Sequence, residues 1–378
     1  MSRESRITYT TTATDHCSSP SASDSRQPIT ISYANIDGVD IKLDVYIPLG
    51  AHGPTPAVLF FHGGGCFSGT RRNEGIGYFS WIERSYRYQA LPFCLSESLP
   101  SGKALERGYL FITADYRLLH PFTGLDQLED ALRLFHFFDS EFNGKLGRAG
   151  EIITLAVDKI AVIGESGGGY IARLAALHAV PRPAALVSYY GMGGDMLSDF
   201  WLSVRELQSI PRERVAPFLE TEPTEETGLP IFVQDGFFTD ALRRADAFAW
   251  ISQNGLFLDY LTGIHGLSER LRTLPGDQRA SMIPRSVQKA FPEFLMDASV
   301  LHPPVLFVHS KDDTIVPLSE SLNTDRQLKE AGVRTELFLI DGAKHGQVNT
   351  DGSAVVGVES AESAVFRFID SVLKTNEI

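Results

Sequence analysis

One serine in this chain stands where a catalytic nucleophile is expected. Ser166 follows a short apolar run at 160–163 that is rich in β-branched residues, and it precedes a helical pattern at 170–177. A serine on so tight a strand-to-helix turn has a strained backbone, and small neighbours such as Gly164 and Gly168 relieve the crowding. The start of the following helix favours negative charge. The spacing therefore predicts nucleophilic catalysis by Ser166.

A glycine loop supplies a second part of such a site. His62-Gly63-Gly64-Gly65 comes directly after the apolar run at 57–61. Acyl transfer builds negative charge on a carbonyl oxygen, and backbone N–H groups must converge on that oxygen. Glycines let a loop approach closely enough to supply them. The alternative interpretation is a flexible turn, but it does not account for the adjoining strand and the matching serine motif.

An acid and a base follow the serine in the required order. The predicted strand at 304–308 runs into a loop with Asp312 and Asp313, and the strand at 335–340 runs into a loop with His345. Side chains in two such loops can meet at the carboxyl edge of a sheet, where the histidine takes the serine proton and the acid orients it. Asp312 is the rival acid. His309 is the rival histidine, although its place at a strand end favours a structural hydrogen bond.

These segments together resemble the α/β-hydrolase superfamily, and more narrowly the hormone-sensitive-lipase-like esterases. The similarity spans roughly residues 30 to 375. It implies that Ser166 is the nucleophile, that Asp313 is the acid by the register of Asp-x-x-Val-Pro, and that His345 is the base. The matching motifs, in chain order, are His62-Gly63-Gly64-Gly65, Asp115-Tyr116-Arg117-Leu118, Gly164-Glu165-Ser166-Gly167-Gly168, Asp313-Thr314-Ile315-Val316-Pro317 and Gly342-Ala343-Lys344-His345-Gly346.

The same resemblance implies that the N–H groups of Gly64, Gly65 and Gly167 hold the oxyanion. The chain also departs from the family. Glu165 and Gly167 flank the serine where many members have Asp and Ala, and the stretch between Gly65 and Asp115 is longer than usual. These departures bear on the substrate and leave the reacting groups in place.

The order of predicted elements favours an α/β class with a mostly parallel sheet flanked by helices. An antiparallel hairpin is predicted at 29–47, and strands recur near 57–61, 109–114, 159–163, 184–189, 304–308 and 335–340 with helical patterns between several of them. We expect an α/β-hydrolase core at 29–192 and 303–378. Residues 1–28 are rich in Ser, Thr and Asp and are expected to form a disordered leader.

Two segments interrupt this alternation. Residues 193–302 separate two core strands, and because so long a loop is not credible in a compact domain we expect a helical cap. An aromatic segment at about 70–105 leaves the glycine loop. Both can be packing embellishments, but both emerge at the catalytic edge, so we predict that they shape the substrate pocket. Trp81 and Trp201 are the predicted substrate contacts.

Composition excludes several functions. A formal charge of −13 argues against nucleic acid, which needs a dense basic patch. Three cysteines do not suggest a disulfide framework, and the first residues have no secretory signal, so a cytoplasmic location is expected. We find no membrane-spanning run and no convincing metal-ligand spacing. We therefore expect no metal and no cofactor.

The sequence predicts a serine carboxylesterase that cleaves small to medium apolar esters or lactones. The alternative is an acyltransferase, or a biosynthetic cyclase, that uses the same three residues, because a fold does not fix the reaction. A ligand receptor on the same scaffold is a third interpretation, but loss of a catalytic residue is expected there, and all three residues are present. The expected partner is a small ester.

Overall fold

The structure, a computed structural model of the chain, describes residues 27–72, 100–205, 210–220, 240–295, 301–345 and 358–374. The predicted leader falls almost entirely outside these ranges, and so does most of the aromatic segment at 70–105, including Trp81. Among the helices in the described ranges, none is both long enough and apolar enough to cross a membrane.

Eight strands form one sheet, in the order β1-β2-β4-β3-β5-β6-β7-β8. The pairs β1–β2 and β2–β4 are antiparallel, and the other neighbours are parallel. The predicted hairpin is thus confirmed as the antiparallel edge of a mostly parallel sheet. The strands are β1 (Ile29–Ile36), β2 (Val39–Tyr46), β3 (Gly53–Phe61), β4 (Leu110–Ala114), β5 (Ile153–Glu165), β6 (Ala185–Tyr189), β7 (Val305–Ser310) and β8 (Thr335–Ile340).

Helices cover both faces of the sheet because side chains alternate along each strand. In β3, Leu59 and Phe61 face one buried cluster, while Val58 and Phe60 face the other. The second cluster is closed by helices α1 (Pro100–Glu106) and α12 (Val358–Leu373). The first cluster is closed by α2 (Gly124–Ser140), α3 (Phe142–Arg148), α4 (Gly167–His178) and α11 (Ser319–Glu330).

Most of the described residues between β6 and β7 lie in helices or 3₁₀ turns. They form α5 (Asp199–Leu202), α6 (Arg212–Leu219), α7 (Asp240–Gln253), α8 (Phe257–Thr262), α9 (Leu267–Arg272) and α10 (Gly276–Arg279), followed by 3₁₀ turns at Ala280–Met282, Arg285–Ala290 and Pro292–Leu295. Apolar side chains of this segment, such as Ile251 and Leu258, belong to the same buried cluster as the first sheet face. The segment therefore packs on the core and does not stand apart from it.

The parallel strands all end at one edge of the sheet. The loops that carry the predicted functional residues leave this edge: the glycine loop follows β3, Ser166 follows β5, Asp313 follows β7 and His345 follows β8. Strand β6 lies between the strands of the serine and the acid, and Tyr190 follows it directly. The topology alone thus gathers these residues in one place.

Candidate active site

Ser166 lies on a sharp turn between β5 and α4. Its φ of 51° and ψ of −117° are unusual for a residue with a side chain, as the strand-to-helix turn requires. A Cβ at Gly164 would lie 2.4 Å from the carbonyl oxygen of Gly168, so a larger residue cannot stand there. Backbone hydrogen bonds from Ser166 to Tyr189 and from Met192 to Ser166, at 3.1 and 3.0 Å, hold the turn.

His345 joins the serine to a carboxylate. Its Nε2 lies 3.0 Å from Oγ of Ser166, and its Nδ1 lies 2.7 Å from Oδ2 of Asp313. The other oxygen of Asp313 accepts backbone N–H groups from Ile315 and Val316, at 2.9 and 3.0 Å. These bonds fix the carboxylate, so the imidazole is held with one nitrogen toward the acid and the other toward the serine.

The electrostatics of Asp313 favour the ionised carboxylate. Burial by itself raises its pKa, but the hydrogen bond and charge of His345, with the N–H of Val316, outweigh burial and hold the pKa below the ordinary value. A charged carboxylate beside Nδ1 keeps the proton on that nitrogen. The Nε2 atom is then the proton acceptor that faces Ser166.

The two rival residues, Asp312 and His309, make their hydrogen bonds to other partners. Asp312 is exposed and accepts the backbone N–H of Gly342 at 3.1 Å, which braces the loop after β8. His309 is fully buried, and burial lowers its pKa to about 4. Its Nε2 lies 3.0 Å from the carbonyl oxygen of Val316, so Nε2 must carry the hydrogen and Nδ1 accepts from Ser321 at 2.8 Å.

The glycine loop packs directly on the serine turn. Gly64 and Gly65 have φ values of 105° and 62°, which favour glycine. A Cβ at Gly167 would lie 2.5 Å from the backbone nitrogen of Cys66 and 2.9 Å from that of Gly65. A Cβ at Gly63 would lie 3.3 Å from Cβ of Ser166. Backbone nitrogens of the loop are therefore within a few ångströms of the serine turn.

Buried neighbours give the loop one shape. The His62 ring stacks on Tyr116 at 4.3 Å, and the Tyr116 hydroxyl donates to the His62 carbonyl at 2.8 Å. Leu119 donates its N–H to the Cys66 carbonyl at 2.8 Å. The Cys66 thiol is buried, which raises its pKa, and it donates to the Gly167 carbonyl at 3.4 Å. Cys66 therefore belongs to the packing of this loop.

Helix α7 of the segment between β6 and β7 also touches the glycine loop. The Phe248 ring is so near that a Cβ at Gly65 would lie 2.6 Å from its Cε2. One turn earlier, the buried Arg244 donates through Nη1 to the carbonyls of Phe67, Leu119 and His120, at 3.3, 3.1 and 3.0 Å. The sequence did not single out Arg244, since an arginine in a helical pattern carries no local signal.

Trp201 is a core residue in this structure. Its side chain is 1% exposed, and its indole N–H donates to the buried Glu320 at 2.6 Å. The ring packs against Phe257 with centroids 5.0 Å apart. A contact between Trp201 and substrate stays a prediction, and so does the one for Trp81, which lies outside the described residues.

The fold is the α/β-hydrolase fold. An α/β-hydrolase superfamily protein from Enterococcus faecalis superposes with a TM-score of 0.56 at 18% identity, covering 91% of this chain and 98% of that chain. The butyrate-bound esterase 2 of Thermogutta terrifontis superposes with a TM-score of 0.51 at 19% identity, covering 92% and 94%. No protein-family model matches the chain.

Curated proteins with similar sequences are much longer. A non-reducing polyketide synthase of Stereocaulon alpinum is 27% identical over 334 residues, covering 84% of this chain and 12% of the synthase. A second, from Penicillium brasilianum, is 23% identical over 339 residues, covering 84% and 13%. The chain thus spans about an eighth of the length of these synthases.

Proposed function

We propose that this chain is a serine hydrolase that cleaves a carboxylic ester or thioester through a covalent acyl-enzyme. The observation that carries the proposal is the line of three groups in which Ser166 Oγ lies 3.0 Å from His345 Nε2, and His345 Nδ1 lies 2.7 Å from Asp313. The geometry suits a nucleophile, a general base and an acid that orients the base.

The reaction proceeds in two halves. Ser166 Oγ bonds to the substrate carbonyl carbon while its proton passes to His345 Nε2, and His345 then gives that proton to the departing alcohol or thiol. Water next attacks the acyl-enzyme, its proton passing through His345 to Ser166 as the acid is released. In each half the oxyanion accepts hydrogen bonds from the N–H groups of Gly64, Gly65 and Gly167. The closeness of the Gly65 nitrogen to Gly167, directly after the serine, supports this role. The proposed steps need no metal and no cofactor.

The finer proposal is a carboxylesterase resembling the hormone-sensitive-lipase-like group, which takes small to medium apolar esters or lactones. It includes a cap at 193–302 that forms part of the acyl pocket. Support comes from the partly exposed Phe248 beside Gly65, and from Phe67, whose ring lies 6.0 Å from it. An apolar acyl group on the glycine loop would meet the Phe248 ring, which packs on the buried Phe67.

A second candidate is acyl transfer or cyclisation on a polyketide-type acyl chain. Two observations favour it. The sequence matches non-reducing polyketide synthases over 84% of this chain, and Ser166 is only 5% exposed. An enclosed serine restricts the access of water to the acyl-enzyme, which leaves time for another nucleophile to attack.

The experiment compares two substrate panels on the purified protein. One panel is p-nitrophenyl esters of graded acyl length, and the other is N-acetylcysteamine thioesters of aliphatic and aromatic acids, each with and without an added alcohol. Release of free acid from either panel supports hydrolysis. Products esterified to the added alcohol, with little free acid, support the transfer candidate.

Ser166→Ala is the control for the nucleophile. We expect at least about a 10³-fold loss of turnover and loss of labelling by a fluorophosphonate, with the circular dichroism spectrum unchanged. The Thermogutta terrifontis esterase 2, phosphorylated by paraoxon in one structure, supplies a positive control for the labelling reaction. Turnover or labelling that survives in Ser166→Ala would refute the proposed mechanism.

A further inference from the structure

The side chain of Tyr190 packs against the imidazole of His345. It is fully buried at the end of β6, between the strand of the serine and the strand of the acid. Its ring meets the imidazole at 62° with centroids 4.8 Å apart, an edge-to-face contact. The hydrogen bonds of His345 restrain its two ring nitrogens. The contact with Tyr190 restrains the orientation of the ring plane.

The backbone holds Tyr190 in an unusual position. Its φ of 36° lies in the left-handed region, which costs free energy for a residue with a large side chain. Its N–H donates to the Val308 carbonyl at 2.7 Å, which continues the pairing of β6 with β7. The chain thus accepts a strained conformation at the residue that contacts the histidine. Such outliers persist where the surrounding structure fixes them.

Glu165 fixes the other end of the tyrosine. The Tyr190 hydroxyl donates to Oε1 of Glu165, the residue directly before Ser166, and Glu165 is 2% exposed. An Asp at this position is one methylene shorter, so its carboxylate would stop short of the hydroxyl.

We infer that Tyr190, anchored by Glu165, is a positioning residue for the imidazole of His345. The inference rests on the proposed serine mechanism. Hydrogen bonds at Nδ1 and Nε2 set where the imidazole points, but they leave it able to tilt about the line through its two nitrogens. The Tyr190 ring blocks that tilt, and the Glu165 hydrogen bond keeps the Tyr190 ring in place. Proton transfer depends on this alignment.

The test separates kcat from KM in four single variants and one double variant, with a p-nitrophenyl ester as substrate. Tyr190→Leu removes the ring, and we expect kcat to fall roughly tenfold or more while KM stays within about twofold. Tyr190→Phe and Glu165→Leu each remove the anchor, and we expect a smaller loss of kcat, about threefold, that does not multiply in the double variant. Glu165→Gln keeps an acceptor oxygen and should restore kcat to within about twofold of wild type.

Tyr109→Phe is the matched control. The Tyr109 hydroxyl donates to Asp370 at 2.5 Å, also a pair of a tyrosine and a carboxylate, but at the amino end of β4 and thus at the opposite edge of the sheet. We expect this variant to lose thermal stability with kcat unchanged. A Tyr190→Leu variant with kcat within twofold of wild type would overturn the inference.

If Tyr190→Leu does not fold correctly, the milder variants Tyr190→Phe and Glu165→Leu decide the test. Circular dichroism identifies such a defect, and unchanged kcat in both Tyr190→Phe and Glu165→Leu would then overturn the inference. The rate of Ser166 phosphorylation by paraoxon gives a second readout, and it should fall in parallel with kcat. Failure of the underlying mechanism has a different signature, because Ser166→Ala would then keep its activity.

Discussion

The Phe248 ring lies against Gly65 in the space that any side chain at residue 65 would need. A Cβ there would come within 2.6 to 2.7 Å of three atoms of the ring. The contact joins helix α7 to the glycine loop. It also places the Phe248 ring beside the loop that is proposed to hold the oxyanion.

Phe248 should therefore influence the choice of acyl group. We expect Phe248→Ala to shift the preference among esters of graded acyl length toward longer chains by roughly tenfold, since a pocket contact of methylene size is worth ~1–3 kcal/mol. Phe294→Ala is the control, because Phe294 stacks on Phe291 at 5.2 Å elsewhere in the same segment. The same ranking of esters in Phe248→Ala and wild type would show that the acyl group lies elsewhere.

Gly65→Ala should abolish most turnover through the same contact. The added methyl meets the Phe248 ring, and φ at this residue is +62°. Gly53→Ala is a matched control for the backbone alone, since φ is +68° there and no atom lies within 4 Å of the added methyl. We expect Gly53→Ala to keep wild-type kcat. The double variant Gly65→Ala/Phe248→Ala should recover part of the activity, and no recovery would mean that the clash with Phe248 is not the cause.

Asp313→Asn should lower kcat by the ~10⁴-fold typical of a lost triad acid, whereas Asp312→Asn should change it little. The reason is the 2.7 Å contact of Asp313 with His345, while Asp312 pairs with the backbone of Gly342. Steady-state kinetics on one ester suffices. An inactive Asp312 variant beside an active Asp313 variant would reverse the assignment.

His309 should make the fold sensitive to acid. Burial lowers its pKa to about 4, so between the unfolded value of about 6.5 and about 4 the unfolded chain binds more protons than the folded chain. Stability is therefore lost as pH falls through that window. We expect His309→Gln to show a smaller drop in the denaturant midpoint between pH 7 and pH 5 than wild type. His136→Gln, at an exposed site on α2, should keep the wild-type drop.

Glu293 should give folding stability the opposite pH dependence, so that stability falls as the pH rises. Burial, and then the charge of Glu320, raise its pKa to about 8, so the folded chain holds a proton that the unfolded chain has released above about 4.5. The contribution of Glu293 to folding stability is thus greatest below about pH 4.5 and declines as the pH rises to about 8. Glu293→Gln, which keeps an acceptor for the Met196 N–H, should flatten the decline between pH 6 and pH 9. An unchanged decline would exclude Glu293 as its source.

The parts of the site that depend on residues close together in the sequence could be predicted. The serine turn and the glycine loop each combine a strand, a tight turn and small residues within ten positions, so both could be predicted, as could the sheet that places them. Tyr190 and Arg244 could not, because their contacts depend on strand order and on a helix that returns to the loop from over 170 residues away. Trp201 shows why a pattern of large apolar residues cannot separate the core from a pocket: it is buried in this structure, and its predicted contact with substrate stays a prediction.

The Arg244 hydrogen bonds also bear on protein engineering. Because the carbonyls of Phe67, Leu119 and His120 meet on this one guanidinium, the glycine loop and the loop after β4 are both supported by helix α7. Excising the segment between β6 and β7 would therefore not leave a smaller protein with the same site, because the two loops would lose this support. A chimaera that borrows this segment from another protein of the same fold would need an arginine at the same place, or its glycine loop would lose that support.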